Sequence, residues 1–395
     1  MKAIIPVLLI LSLLACNNTS KNENSEKELI KKITTQLKSS PVLKKDNLTS
    51  TKRIFPRSIE PSGEIRLVGK RDWTSGFFPG VLWFTYNLTN DEEWKKQAIN
   101  FTELLENEKH NASNHDVGFK MMSSYGLGYK YTKNEAYKDI LIESAKTLTT
   151  RFNEKVGCIR SWDHNKDKWE FPVIIDNLMN LELLYWAWKE TGDSVFYNVA
   201  TAHAKTTMKH HFRNDYSSYH VVGYNPRTGE VVSKNTHQGY ADESSWARGQ
   251  AWALYGYTMI YRETKDPIFL KQAEHVANYI LNIAHWPKDF VPVWDFDLKN
   301  EKEEPRDASA AAIIASALYE LSAFTPQNKS SYLEIADKIL DSLSSSKYLN
   351  TNGNNKGFLL KHSTGSKPKN DEVDVPLIYA DYYYLEALLR KEHKQ

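Results

Sequence analysis

Apolar residues recur at helical spacing along almost the whole chain. The pattern predicts helices near residues 26–38, 77–88, 92–109, 117–131, 134–153, 177–191, 194–212, 244–263, 267–285, 308–324, 329–345 and 376–391, because residues three and four apart share one helix face. Most fall in pairs. Alternation of period two is local: "YHVVGY", the turn "NPRTG" and "EVVSK", Tyr219 to Lys234, predict one hairpin, and "FVPVWDFD" predicts a short extended piece. A dozen paired helices fit either an α-solenoid or a closed double ring of six inner and six outer helices. Unequal spacings, and aromatic residues gathered in loops and helix starts, favour closure. No linker rich in Pro, Gly or Ser interrupts the middle, so residues 28–395 read as one all-α domain with short β-hairpins.

The first sixteen residues break the pattern. Lys2 precedes the apolar run "AIIPVLLILSLLA", which is too short to span a bilayer as a helix, and the polar stretch "NNTSKNENSEKE" follows Cys16. This is a signal for export. Its ending "LLAC" resembles a bacterial lipoprotein signal, which implies cleavage before Cys16 and lipid on its sulfur. Asn17 implies, by the same resemblance, the outer membrane, with the protein facing the periplasm or the cell surface. Residues 17–27 read as a flexible tether. Only Cys158 then remains, so neither an intramolecular disulfide nor a cysteine metal cluster is expected. Lys and Arg total 51 against 49 acidic residues. Such balance gives no general field towards nucleic acid or an anionic membrane, and leaves the lipid as the expected membrane contact.

Candidate chemistry lies in the interrupted segments. "WEFPVIIDNLMNLELLYW", Trp169 to Trp186, sets Asp176 among apolar residues. Asp176 is either the cap of the helix from Asn177 or a buried carboxyl that keeps its proton, since an unpaired buried charge is costly. "NHDVGFKMMSS" places His115 and Asp116 before another helix. Asp116 is again a cap, or else a second carboxylate that divides protonated and ionised roles with Asp176. "RDWTSGFFPGVLW" is a helix start in which Trp73 can offer an aromatic face to a sugar ring. "THQGYADESSWARGQAWALYG", Thr236 to Gly256, is the densest segment. Arg248 and Trp252 stand four apart there, so Arg248 is expected along the Trp252 ring with its fork free for a carboxylate. The loop from Lys361 to Asp374 combines hydroxyls and lysines suited to sulfate or carboxylate, and reads equally well as a solvated loop.

Together these segments resemble unsaturated glucuronyl hydrolases, glycoside hydrolase family 88, from about residue 55 to residue 391. The elements "DWTSGFFPG", "HDVGF", "IIDNLMNL", "SSYH", "DESSWARGQAWALYG" and "DVPLIYADYYYLEAL" come in that family's order. The resemblance implies a closed (α/α)6 barrel, and as substrates the oligosaccharides that polysaccharide lyases leave with a terminal 4,5-unsaturated uronic acid. It implies hydration of that vinyl ether: a carboxylic acid protonates C4, water adds at C5, and the hemiketal opens and expels the next sugar. Neither a metal nor an organic cofactor is implied. Carried over by motif, Asp176 is the general acid/base and Asp116 its supporting carboxylate. Trp73, His115, His220, Gln238, Arg248 and Trp252 line the −1 subsite. Ser363, Ser366 and Lys367 stand where some relatives hold sulfate, although the lysine spacing differs. Two further readings remain open: a conventional two-carboxylate glycosidase or rhamnogalacturonyl-type relative, and a glycan-binding lipoprotein without catalysis.

Overall fold

The computed structural model describes residues 25–44, 52–283, 286–300, 303–351 and 353–392. The signal segment with Cys16, and the tether up to residue 24, lie outside them. Helix α1 covers 25–38, so the chain is already helical within the expected tether. There follow α2 (Phe77–Thr89), α3 (Glu92–Glu103), α4 (Val117–Met121), α5 (Leu127–Thr132), α6 (Glu135–Thr149), α7 (Asn177–Thr191), α8 (Ser194–His210), α9 (Ala247–Thr264), α10 (Pro267–Leu281), α11 (Ala308–Ser322), α12 (Lys329–Leu343) and α13 (Ile378–Glu392). A π-helical turn, Met122–Gly126, joins α4 to α5 in one bent rod where a single helix was expected.

The rods alternate between two layers. In α7, α9, α11 and α13 most positions are buried, whereas α3, α6, α8, α10 and α12 bury one stripe each. The inner rods touch in the cyclic order α2, α4–α5, α7, α9, α11, α13 and back to α2, which closes the ring and excludes the solenoid. Close approach inside it needs small residues. A Cβ on Gly118 would lie 2.5 Å from Asn180 Cα, and one on Gly256 would lie 2.6 Å from Leu178 Cβ.

One mouth of the ring is built from a repeated turn. At four inner-to-outer junctions a Thr ends the inner helix, a left-handed residue follows, and an Asp or Asn caps the outer helix: Thr89-Asn90-Asp91, Thr132-Lys133-Asn134, Thr191-Gly192-Asp193 and Thr264-Lys265-Asp266. Each Thr hydroxyl donates to the carbonyl four residues back and accepts the amide of the cap. Three residues after each cap a buried aromatic, Trp94, Tyr137, Phe196 or Phe269, anchors the outer helix.

The opposite mouth carries the irregular chain. β1 (Phe55–Ile59) and β2 (Ile65–Val68) form a hairpin that the pattern did not predict, and β3 (Phe152–Asn153) pairs with β4 (Cys158–Ile159). The predicted hairpin is β6 (Val221–Tyr224) with β7 (Val231–Asn235), and β5 (Phe171–Ile174) adds antiparallel to β6. "FVPVWDFD" makes only isolated bridges, Trp246 to Asp295 and Val293 to Arg306. β8 (Ser363–Ser366) and β9 (Asp371–Val375) close the set.

Candidate active site

The apolar run before Asp176 is strand β5, so Asp176 sits at a strand-to-helix junction. Its backbone is already helical, φ −57° and ψ −24°, and its carboxylate caps nothing. Capping needs an extended residue whose side chain folds back over the first turn. Asp307, at φ −123° and ψ 87°, does this for α11 through Ser309 N and Ala310 N. Asp116 repeats the Asp176 geometry at α4, with φ −71°, ψ 5° and no capping bond. Both carboxylates are therefore left for another role.

They meet in one cavity of about 210 Å³, whose lining includes Trp73, His115, Asp116, Asp176, Gln238, Arg248 and Ser366. Burial pushes Asp176 up to about 7; the Arg248 guanidinium pulls it back down, and the charge of Asp116 pushes it further up. Burial likewise raises Asp116 to about 7, against the cations of Lys120 and Arg151. His220 lies behind Asp176, its Nε2 3.7 Å from Asp176 Oδ2, and neither atom has a hydrogen-bond partner. The amides of His237 and Gln238 both donate to His220 Nδ1 at 3.2 Å. This network assigns the ring proton to Nε2, pointing at the acid, and burial keeps the imidazole neutral. His115 is placed similarly beside Asp116, at 3.3 Å, and burial lowers it to about 3.

Arg248 is 1% exposed and pinned. Its Nη1 donates to Asp307 Oδ2 at 2.6 Å and to Thr364 O at 2.5 Å, and its Nη2 donates to Gly365 O at 2.6 Å. Three of its five hydrogens are thereby engaged, and Arg248 also lines the cavity. The ring beneath it is Trp246, at 4.4 Å, where Trp252 was expected. Four-residue spacing governs only positions inside the helix; Trp246 precedes α9 in extended conformation, so its ring folds back under Arg248. Trp252 is fully buried between Phe119 and Tyr383 and stands outside the cavity lining, but its indole faces Asp176 and favours the ionised carboxylate.

His220, expected in the lining, stands behind Asp176 instead, and two other expected residues also fall outside. Ser363 is wholly buried and away from the cavity, and Lys367 does not reach it. The turn Lys367–Lys369 instead brings in Lys369, whose Nζ lies 2.7 Å from His237 Nε2. His237 and His164 pack on Trp162 at the same rim. Sequence reasoning also missed Arg57, which grips Glu372 with two hydrogen bonds of 2.7 and 2.8 Å and Asp72 with one of 2.9 Å. With Arg66 on Asp371 at 2.7 Å, it ties the β1–β2 hairpin to β8–β9 across the cavity. Alternation with a lone arginine in "FPRSI" was the available signal. Among the described residues no group of three or more His, Cys, Asp or Glu side chains is placed to hold a metal ion.

The helix starts of the inner ring converge here, four of them uncapped, so their amides and dipoles favour a bound anion. An (α/α)6 double ring with two unpaired acids at an anion-favouring mouth defines a sugar-cleaving barrel. Residues 51–394 match the model of Glycosyl Hydrolase Family 88, and the chain belongs to that family. An "Unsaturated glucuronyl hydrolase" of Formosa agariphila is 48% identical over 100% of this chain and 99% of its own length. A crystal structure described as unsaturated glucuronyl hydrolase specific for heparin superposes with a TM-score of 0.89 at 48% identity, covering 94% of this chain and 99% of the other. A Streptococcus agalactiae aspartate-to-asparagine variant complexed with dGlcA-GalNAc6S has a TM-score of 0.77 at 29% identity, covering 94% and 92%.

Proposed function

We propose that this glycosidase removes a terminal 4,5-unsaturated glucuronic acid from acidic oligosaccharides by hydrating its vinyl ether. The observation that supports it most is Asp176: a buried carboxyl at a helix start, capping nothing and pushed up to about 7, which can still hold a proton near neutral pH. Asp176 gives that proton to C4, and the positive charge forms at C5 and the ring oxygen. Water adds at C5 while the Asp176 carboxylate takes its proton back. The resulting hemiketal opens between C5 and the ring oxygen, and C1 then expels the neighbouring sugar. His220 points its Nε2–H at the carboxyl from 3.7 Å, and Asp116 supports the ring as the second carboxylate. Arg248 and Gln238 face the uronate, with Trp73 as an aromatic wall.

At the rim, Lys369, His237 and His164 suit a second anionic group on the following sugar. Export through the lipobox, with lipid at Cys16, belongs to the same proposal; labelled fatty acid incorporated by the natural chain and lost in Cys16→Ser tests it. The activity is tested by the ultraviolet absorbance of unsaturated uronyl disaccharides. Loss of absorbance with release of free sugar is expected. Persistent absorbance with cleavage of saturated glucuronides would replace this reading with a conventional two-carboxylate glycosidase.

A further inference from the structure

The ring holds a second, larger cavity, of about 460 Å³, at the mouth opposite the acids. This size accommodates a small organic ligand. Trp186 and Tyr129 form one wall, edge to face at 5.7 Å, and Tyr131 and Phe84 form the other. Its floor is polar: Arg390 Nη2 donates to Tyr255 Oη at 3.0 Å, and Tyr255 Oη donates to Glu386 Oε1 at 2.9 Å. Arg262 spreads over Glu182, Glu263 and Glu320 beside them. Each acid there has a basic partner, an arginine for Glu182, Glu263, Glu320 and Glu386 and Lys138 for Glu190.

Other groups in this cavity lack partners. The Tyr131 hydroxyl is buried without a hydrogen bond. Lys130 and Lys133 rest on the rings of Tyr131 and Tyr129, at 5.5 and 5.1 Å, with no carboxylate partner among the described residues. Aromatic walls, planar hydrogen-bonding groups and unmatched lip cations make the chemistry of a saccharide site. We infer that this mouth binds an acidic saccharide unit without cleaving it, a binding site separate from the catalytic cavity. The choice of saccharide over another polyhydroxylated anion rests on the activity proposed above.

The test is isothermal titration of the full chain with a saturated acidic tetrasaccharide that lacks the double bond, alongside Trp186→Ala, Lys133→Glu and Trp73→Ala, each checked for fold by circular dichroism. Trp186→Ala should weaken binding about tenfold, the loss expected for a removed aromatic wall. Lys133→Glu should weaken it several-fold, more at low salt than at high. Trp73→Ala, at the catalytic mouth, removes only the binding which that mouth contributes and should leave the Trp186-dependent part of the titration in place. No binding by the natural chain, or loss in Trp73→Ala with retention in Trp186→Ala, overturns the inference. The titration reads binding alone, so failure of the proposed activity shows separately, in the absorbance assay.

Discussion

The two mouths of the ring are made by the same inner helices and solve opposite problems. At the distal mouth short Thr-x-Asp/Asn turns repeat four times, and the acids Glu182, Glu263, Glu320 and Glu386 all lie against Arg262 or Arg390. At the catalytic mouth the connections are long and irregular, four helix starts lack side-chain caps, and Asp116 and Asp176 have no salt-bridged arginine or lysine among the described residues. Paired acids tie the inner helices together, whereas burial without a cation partner raises Asp116 and Asp176 to about 7. The difference lies in what faces each carboxylate, since both sets are drawn from inner helices of similar burial.

The largest effect should come from removing the unpaired acid. Asp176→Asn should lower kcat by about 10³-fold with KM little changed, the loss expected of a general acid. Retained activity in the absorbance assay would remove Asp176 from the chemistry. Next comes the paired mouth. Arg262→Ala strands Glu182, leaves Glu263 to Lys189 and Glu320 to Arg390, and should cost about 3 kcal/mol in denaturant unfolding, while leaving kcat at low temperature within about twofold. The converse result, lost catalysis with full stability, would erase the division between the mouths.

A smaller effect separates Arg248 from its anchor. Asp307→Asn removes the charge that offsets Arg248, so the cation acts more strongly on Asp176 and lowers its pKa. The alkaline limb of the kcat profile should move to lower pH, and kcat/KM should fall about tenfold. An unmoved limb would make Asp307 only the cap of α11. The smallest concerns stability. Because the folded-state pKa of Asp176 is raised to about 7, folding loses stability as pH climbs from the ordinary carboxyl range through 7. Asp176→Asn should therefore be more stable than the natural chain at pH 8 by about 2 kcal/mol, and not at pH 4. Equal stability of the two at pH 8 would contradict the buried-acid account.

The double ring was legible because amphipathic helices declare their period, and the acids because they interrupt apolar runs at helix starts. The closing turns were written in the sequence too, as "TND", "TKN", "TGD" and "TKD", each followed by a buried aromatic. They escaped a search for equal spacing because the insertions at the other mouth differ in length. Contacts made across loops were not legible. Arg248 lies on Trp246 because the tryptophan sits outside the helix, and Lys369 replaces Lys367 because a tight turn intervenes. Arg57 meets Glu372 across most of the chain, a pairing that no local pattern encodes.

The most direct measurement is the pH dependence of kcat for an unsaturated uronyl disaccharide, followed by absorbance from pH 3 to 9. An unpaired Asp176 held up to about 7 predicts activity that falls as pH rises through that value, with the limb absent from any residual activity of Asp176→Asn. A limb in the ordinary aspartate range near 4, or one that persists in Asp176→Asn, would contradict the account.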